Sequence, residues 1–270
     1  MKIWKNTATL NGFDDGLVFT DNKDEAEIVL IGSKPIELSE FPALKGIFRA
    51  GIGRDNVPVD AASELGIQVA FPASDTVDMI FEETADFTCG LILRRLYDDV
   101  GTIEPWFKNT RLQMSARQLL VLGNGNIGSR VAEKMSKFLQ VSTFDALQDN
   151  PEVLVERLST ADCVTLHIPN TLENKNFFDE NKLGLMKTGS ILINTARGPI
   201  VDENALYKEI KAGRLTAAFD VYWKEPYGGK LMEFHPNGFF MTPHVASTCS
   251  GFLKGCREAL DGLIEGLEND

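Results

Sequence analysis

The stretch Leu119-Leu120-Val121-Leu122-Gly123-Asn124-Gly125-Asn126-Ile127-Gly128 decides the fold. Four apolar residues read as a buried strand, and a G-x-G-x-x-G turn follows at once. Val131, Met135, Phe138 and Leu139 then mark one face of a helix, and Val141 to Phe144 is a second apolar run ending at Asp145. Strand, glycine turn, helix, strand, acid is the order of a dinucleotide-binding unit. Gly123 permits the tight turn, Gly125 lets a pyrophosphate approach the backbone, and Gly128 lets helix and strand pack closely. The helix start, with Asn126 and Ile127, offers unpaired N–H groups and a positive dipole end to phosphates. Asp145 stands 20 residues past Gly125, where a carboxylate hydrogen-bonds the adenine-ribose hydroxyls. It repels a 2′-phosphate and no arginine follows it directly, so NAD is expected over NADP.

On the N-terminal side, Ile28 to Ile31 and Ile47 to Ala50 are strand candidates ending at Gly32-Ser33-Lys34-Pro35 and Gly51-Ile52-Gly53. Ala61 to Leu65 reads as a short helix closed by Gly66, and Ile67 to Ala70 as a third strand. A long helix capped at Asp75-Thr76 follows, with Ile80, Thr84, Phe87, Leu91 and Ile92 near helical spacing as far as Leu96. Tyr97 to Arg117 is polar and mixed; Trp106 and Phe107 within it suit either local packing or a subunit contact. On the C-terminal side come a helix over 153–158, strands over 163–166, 191–193 and 217–219, a helix over 206–212 closed by Gly213, the run Met241-Thr242-Pro243-His244, and a final helix. Alternating strands and helices predict an α/β chain with a doubly wound parallel sheet.

Composition bounds the chemistry. Lys plus Arg is 27 against 39 Asp plus Glu, a net charge of −12 in 270 residues. Such a field disfavours nucleic acid and anionic membrane as main partners, so an anionic ligand must meet a few placed cations. No apolar window approaches the ~18 residues of a membrane helix, and the start lacks a signal-peptide pattern. Cys89, Cys163, Cys249 and Cys256 show no paired spacing, so reduced thiols, no metal site and a cytoplasmic setting are expected.

The chain has three histidines, His167, His235 and His244. His167, Arg197, Asp220 and His244 each fall just past a strand-like run, the edge at which open parallel sheets bind ligands.

At this point the sequence resembles the D-isomer-specific 2-hydroxyacid dehydrogenases. The resemblance is carried by Arg49-Ala50-Gly51-Ile52-Gly53-Arg54-Asp55-Asn56-Val57, the turn from Gly123 to Gly128, Thr165-Leu166-His167-Ile168-Pro169, Asn194-Thr195-Ala196-Arg197-Gly198, Val201-Asp202-Glu203, Phe219-Asp220-Val221-Tyr222-Trp223-Lys224-Glu225-Pro226 and Thr242-Pro243-His244. It implies that Arg197 holds a substrate carboxylate and polarises a 2-oxo group, that His244 gives and takes the proton, and that Glu225 steadies its imidazole. It also implies that His167, Pro169, Thr195, Ala196 and Asp220 line the cofactor, and that Ser33, Arg49, Gly51, Ile52 and Gly53 face the substrate. The architecture implied is two lobes with a cleft. One is a nucleotide lobe over 94–247; the other is a smaller flavodoxin-like substrate lobe over 1–93 with 248–270. A homodimer is implied as well. Three departures stand out: a short N-terminal part, a stretch between Asp145 and Asp162 that is shorter by a strand, and Asp86 where the family has Glu. Arg49, Arg54 and Lys34, in or beside the loops that would face the substrate, suit a phosphorylated acid such as 3-phosphoglycerate; the alternative is that Arg54 and Lys34 are ordinary surface charges. A non-catalytic NAD(H)-sensing module and a formate or phosphite dehydrogenase are the competing readings on this scaffold.

Overall fold

The computed structural model describes residues 1–269. In chain order it forms β1 (Lys2–Lys5), β2 (Val18–Phe19), β3 (Ile28–Ile31), β4 (Gly46–Arg49), α1 (Val59–Glu64), β5 (Gln68–Ala70), α2 (Ser74–Leu96), β6 (Gly101–Thr102) and β7 (Phe107–Lys108). There follow β8 (Gln118–Leu122), α3 (Asn126–Met135), β9 (Gln140–Phe144), α4 (Pro151–Thr160), β10 (Cys163–Leu166), α5 (Glu180–Leu185), β11 (Ile191–Asn194), α6 (Glu203–Lys211), β12 (Thr216–Phe219), β13 (Phe239–Met241) and α7 (Ser250–Asn269). These gather into two compact units: Met1–Glu83 with the C-terminal residues from Ser247, and Thr84–Ala246. The division falls within α2.

The first unit holds a parallel sheet in the order β2-β1-β3-β4-β5, the flavodoxin-like winding. Every residue of β3 is buried, and the two-residue period of a strand splits them between two cores. Ile28 and Leu30 join Phe48, Ile80, Phe252 and Leu260 on one face. Val29 and Ile31 join Phe41, Ile47 and Ala62 on the other. Both faces are covered, as an all-parallel sheet requires.

The second unit holds the parallel sheet β13-β12-β11-β10-β8-β9. The same alternation recurs. Leu119 and Val121 of β8 pack with Val131 and Met135 of α3. Leu120 and Leu122 face Leu154, Leu158, Leu206 and Phe219. β8 lies between β9 and β10, so the winding reverses at the carboxyl end of β8, where doubly wound sheets bind ligands. Between β9 and β10 the chain forms α4 and no strand, and β9 is the edge of the sheet.

Three sequence expectations shift. Helix α3 ends at Met135, so Phe138 lies beyond it and exposed, while Leu139 is buried just before β9. The helical spacing runs on through the closing turn although the helix does not. β1 and β2 escaped the sequence reading, because β1 buries only Ile3 and β2 has two residues. Tyr97 to Arg117 carries the antiparallel pair β6 and β7, with Ile103, Trp106 and Phe107 exposed beside it. No helix among the described residues is long and apolar enough to cross a membrane.

Candidate active site

The turn after β8 is shaped by its neighbours. Gly123 has φ +94, and its N–H donates to Phe144 O at 2.7 Å. A Cβ on Gly123 would lie 2.5 Å from the carbonyl oxygen of His167, and one on Gly128 would lie 1.9 Å from the carbonyl oxygen of Gly123. Both positions therefore need glycine for the packing of the turn itself. Gly125 differs: an added Cβ meets nothing within 4 Å, and its backbone is extended (φ −81). The fold leaves open space there, at the N-cap of α3, and no side chain caps that helix. An uncapped helix start beside an open glycine fits a pyrophosphate. Asn126 is exposed and Ile127 half-buried in the same first turn. Asp145 follows β9 and is half-buried; its Oδ1 accepts from Leu147 N–H at 3.0 Å. These residues together fit a dinucleotide.

His167 forms the wall behind the turn. Its N–H donates to Leu122 O at 2.7 Å, and its Nε2 lies 3.0 Å from Thr165 Oγ1. The ring keeps some exposure, yet burial pushes its pKa down to about 3. A neutral imidazole of this kind lines a site and does not supply protons near neutrality. Pro169, two residues on, is exposed.

Past β11, Asn194 is fully buried and uses both ends of its amide. Oδ1 accepts from Ala196 N–H at 3.0 Å, and Nδ2 donates to Arg197 O at 2.9 Å. This folds 194–197 into a fixed turn that presents Arg197, half-buried, with Nη1 donating to Ala196 O at 2.8 Å. Thr195 is buried with its Oγ1 2.8 Å from that of Thr88, whose hydroxyl also donates to Thr84 O at 2.7 Å. Sequence reading passed over Asn194; the available signal was a side-chain amide at a strand end directly before a turn.

The loop after β13 carries His244. Its φ is +54, an uncommon backbone for a residue with a Cβ, and it persists because the loop is fastened on both sides. Asp220, 0% exposed, accepts from Thr242 Oγ1 at 2.6 Å, Val245 N–H at 2.9 Å and Ala246 N–H at 2.9 Å. The His244 Nδ1 lies 2.8 Å from Glu225 Oε2, and Glu225 Oε1 accepts from Tyr222 N–H at 3.2 Å. An ionised carboxylate only accepts, so Nδ1 carries the proton of that bond and Nε2 is left to exchange one. The imidazole and carboxylate are both partly exposed, which lets Nε2 reach a ligand.

The first unit places the remaining predicted residues. Ser33 is exposed at the end of β3, and Gly51, Ile52 and Gly53 are half-buried after β4. Arg49 is only 6% exposed. Its guanidinium donates to Ala50 O, to Gly53 O at 3.2 Å and to Asn56 Oδ1 at 3.3 Å. That placement gives Arg49 a task inside its own loop. Arg54 is exposed and stacks over Phe71 at 4.5 Å, and Lys34 is exposed.

Comparison with known proteins points to one family. Residues 99–246 match the model of the D-isomer specific 2-hydroxyacid dehydrogenase NAD binding domain. A glyoxylate reductase of Aeropyrum pernix is 33% identical over 257 residues, covering 84% of this chain and 74% of that protein. A D-3-phosphoglycerate dehydrogenase of Archaeoglobus fulgidus is 32% identical over 76% of this chain and 42% of that protein. Among solved structures, D-lactate dehydrogenase from Aquifex aeolicus, complexed with NAD and lactic acid, superposes with a TM-score of 0.80 at 24% identity. That match covers 100% of this chain and 96% of the other.

Proposed function

This chain belongs to the D-isomer specific 2-hydroxyacid dehydrogenases, NAD-dependent oxidoreductases, and from that premise we propose that it interconverts a small 2-oxo acid and a D-2-hydroxy acid through Arg197, Glu225 and His244. The observation that carries the proposal is the 2.8 Å bond between His244 Nδ1 and Glu225 Oε2 on a loop locked at a left-handed residue. NAD, when bound, supplies or accepts the hydride at substrate C2. Its phosphates are assigned to the N–H groups at Gly125, Asn126, Ile127 and Gly128, and its adenine ribose to Asp145. Thr195, Ala196, His167, Pro169 and Asp220 are assigned to the rest of the cofactor's surroundings.

Arg197 offers a planar fork of donors, suited to a carboxylate and to the charge that builds on the 2-oxo oxygen during reduction. In that direction His244 gives the Nε2 proton to this oxygen; in the reverse direction the neutral Nε2 takes it back. Glu225 holds the ring in the one tautomer that allows both. The N–H groups of Ile52 and Gly53, with Ser33, are assigned to the substrate; the Gly51 N–H donates to Arg49 O at 2.9 Å and shapes the turn that presents them.

The relatives named glyoxylate reductase support a short acid. Exposed Lys34 and Arg54 support a second reading, an acid that carries phosphate, as the phosphoglycerate dehydrogenase relative does in its name. Oxidation of NADH against glyoxylate, hydroxypyruvate, pyruvate and 3-phosphohydroxypyruvate separates the two. A preference for the first two supports the short acid, and a preference for the last supports the phosphorylated one. Binding of NADH with no turnover on any of them, and none of formate or phosphite with NAD, favours a sensor and overturns the proposal.

The same proposal includes a homodimer formed through the β6–β7 hairpin. Ile103 and Trp106 are 76% and 77% exposed there, a large apolar area for a monomer surface. Trp106→Ser with Phe107→Ser is expected to leave a monomer in sedimentation; an unchanged mass excludes the hairpin as the contact.

A further inference from the structure

Three short loops carry the proposed proton and carboxylate chemistry, and they leave different strands: β11 for Arg197, β12 for Glu225, β13 for His244. One residue touches all three. The main chain of Tyr222 packs against Gly198, next to Arg197; a Cβ on Gly198 would fall 2.1 Å from the Tyr222 carbonyl carbon. The N–H of Tyr222 donates to Glu225 Oε1 at 3.2 Å. Its hydroxyl reaches the base of the His244 loop, 2.8 Å from Thr242 O, and accepts from Thr242 N–H at 3.1 Å.

The hydroxyl has a single proton and two carbonyls in range, Thr242 O and Phe219 O, each at 2.8 Å. It therefore bridges the end of β12 to the start of the His244 loop, reinforcing the direct bond from Thr242 N–H to Phe219 O at 3.1 Å. The ring is buried and stacks on Tyr227 at 5.0 Å with 20° between planes, which fixes where the hydroxyl points. Burial, and then the charge of Asp220, raise the phenol well above its ordinary range, so it stays a donor at any working pH.

We propose that Tyr222 is a positioning residue for catalysis: through its hydroxyl it sets the His244 loop relative to the Arg197 and Glu225 loops. This rests on the reading of His244 as the proton donor. The main-chain contacts survive any substitution at 222, so Tyr222→Phe isolates the hydroxyl while keeping the buried ring. His244 is faced by Glu225 at Nδ1, and Asp220 holds the residues on either side of it, so a looser Thr242 displaces the imidazole from Glu225.

The test compares wild type, Tyr222→Phe and Tyr227→Phe in three measurements: steady-state reduction of the best acid in the panel, NADH binding, and the NMR signal of the His244 Nδ1–H that Glu225 holds. The Tyr227 hydroxyl donates to Glu203 at 2.7 Å and accepts from Leu231 N–H at 3.3 Å, neither of them in the His244 loop, so Tyr227→Phe serves as the control. Tyr222→Phe is expected to lose about tenfold or more in kcat with NADH affinity within about twofold of wild type. Its His244 Nδ1–H signal is expected to shift and broaden, because the imidazole moves off the Glu225 carboxylate that holds this proton. Tyr227→Phe is expected to match wild type in all three.

Wild-type kcat and an unmoved Nδ1–H signal in Tyr222→Phe overturn the proposal, and so does an equal loss in Tyr227→Phe. A measurement on the unaltered protein guards against a variant that fails to fold. The Thr242 amide is expected to exchange as slowly as the strand amides, and exchange at the rate of an open loop overturns the proposal. If His244→Gln itself keeps full turnover, the underlying reading fails. If His244→Gln is inactive and Tyr222→Phe is not impaired, only this inference fails.

Discussion

Two glycine turns, one in each unit, begin alike and end differently. Gly51 follows β4 and Gly123 follows β8, with φ of +139 and +94, so both leave a buried parallel strand through backbone that favours glycine. Around Gly51 the space is filled from within: the Arg49 guanidinium lies 2.6 Å from where a Cβ would sit and bonds the loop at Ala50, Gly53 and Asn56. Around Gly123 the wall is the backbone of His167, and two residues on, at Gly125, the turn opens on unoccupied space at a helix start. The first turn is closed by the chain's own cation; the second is left open toward positive N–H groups. The closed turn holds a fixed loop that is assigned to the substrate acid, and the open one, with unpaired donors at a helix start, is assigned to the cofactor phosphates.

The sharpest way to test that contrast is to add a methyl group at different points of the second turn. Gly128→Ala puts a Cβ 1.9 Å from the Gly123 carbonyl oxygen, so strand and helix must separate. NADH binding is expected to weaken by about a hundredfold or more and the melting temperature to drop clearly. Gly125→Ala meets no protein atom. It is expected to melt like wild type while losing about tenfold or more in NADH affinity, seen by fluorescence titration. Wild-type affinity in Gly125→Ala would mean that no ligand approaches the backbone there.

In the first turn, Arg49→Lys keeps a positive charge but loses the fork that reaches Ala50, Gly53 and Asn56 together. A loss of about 1.5–3 kcal/mol in urea unfolding is expected, with a higher KM for the acid and unchanged NADH affinity. A matching loss of NADH affinity would contradict the separate tasks given to the two turns.

The smallest effect concerns His167. In the unfolded chain an imidazole takes up a proton near ~6.5, whereas in the fold burial holds that step down to about 3. Across that window the unfolded state binds more protons, so stability falls as pH drops from about 6.5 toward 3. The slope from this one group is at most about 1.4 kcal/mol per pH unit, and partial exposure of the ring reduces it. His167→Gln is expected to lose less stability than wild type between about pH 7 and pH 4, read from urea midpoints. Parallel slopes would show that the ring titrates normally behind the turn.

What could be read in the sequence follows the physics of each element. The run from Leu119 to Asp145 was legible because a buried strand, a glycine pattern and an amphipathic helix each leave a periodic mark. Lys2–Lys5 was not, because one buried residue makes no period. Arg49, Gly51 and Arg54 sit together in a loop, and the family resemblance with the charge of Arg49 assigns that residue to the substrate. Only the fold shows its guanidinium turned onto neighbouring carbonyls. At the site, Arg197 and His244 stand out just past strand-like runs, and the roles of Arg197, Glu225 and His244 are what the family resemblance implies. The groups that hold them, Asn194 and Tyr222, were not legible, since a hydrogen bond from a buried side chain to a distant main-chain atom has no sequence spacing. Asp220 was read as a cofactor contact. In the fold its carboxylate also fastens Thr242, Val245 and Ala246 around His244.

The central claim is that the imidazole of His244, steadied by Glu225, moves the proton in an NAD-dependent reduction. The most direct measurement is turnover of NADH and the best 2-oxo acid by His244→Gln, with NADH affinity measured on the same sample. The account predicts a fall of about a hundredfold or more in kcat with NADH binding retained. Turnover at the wild-type rate would contradict it.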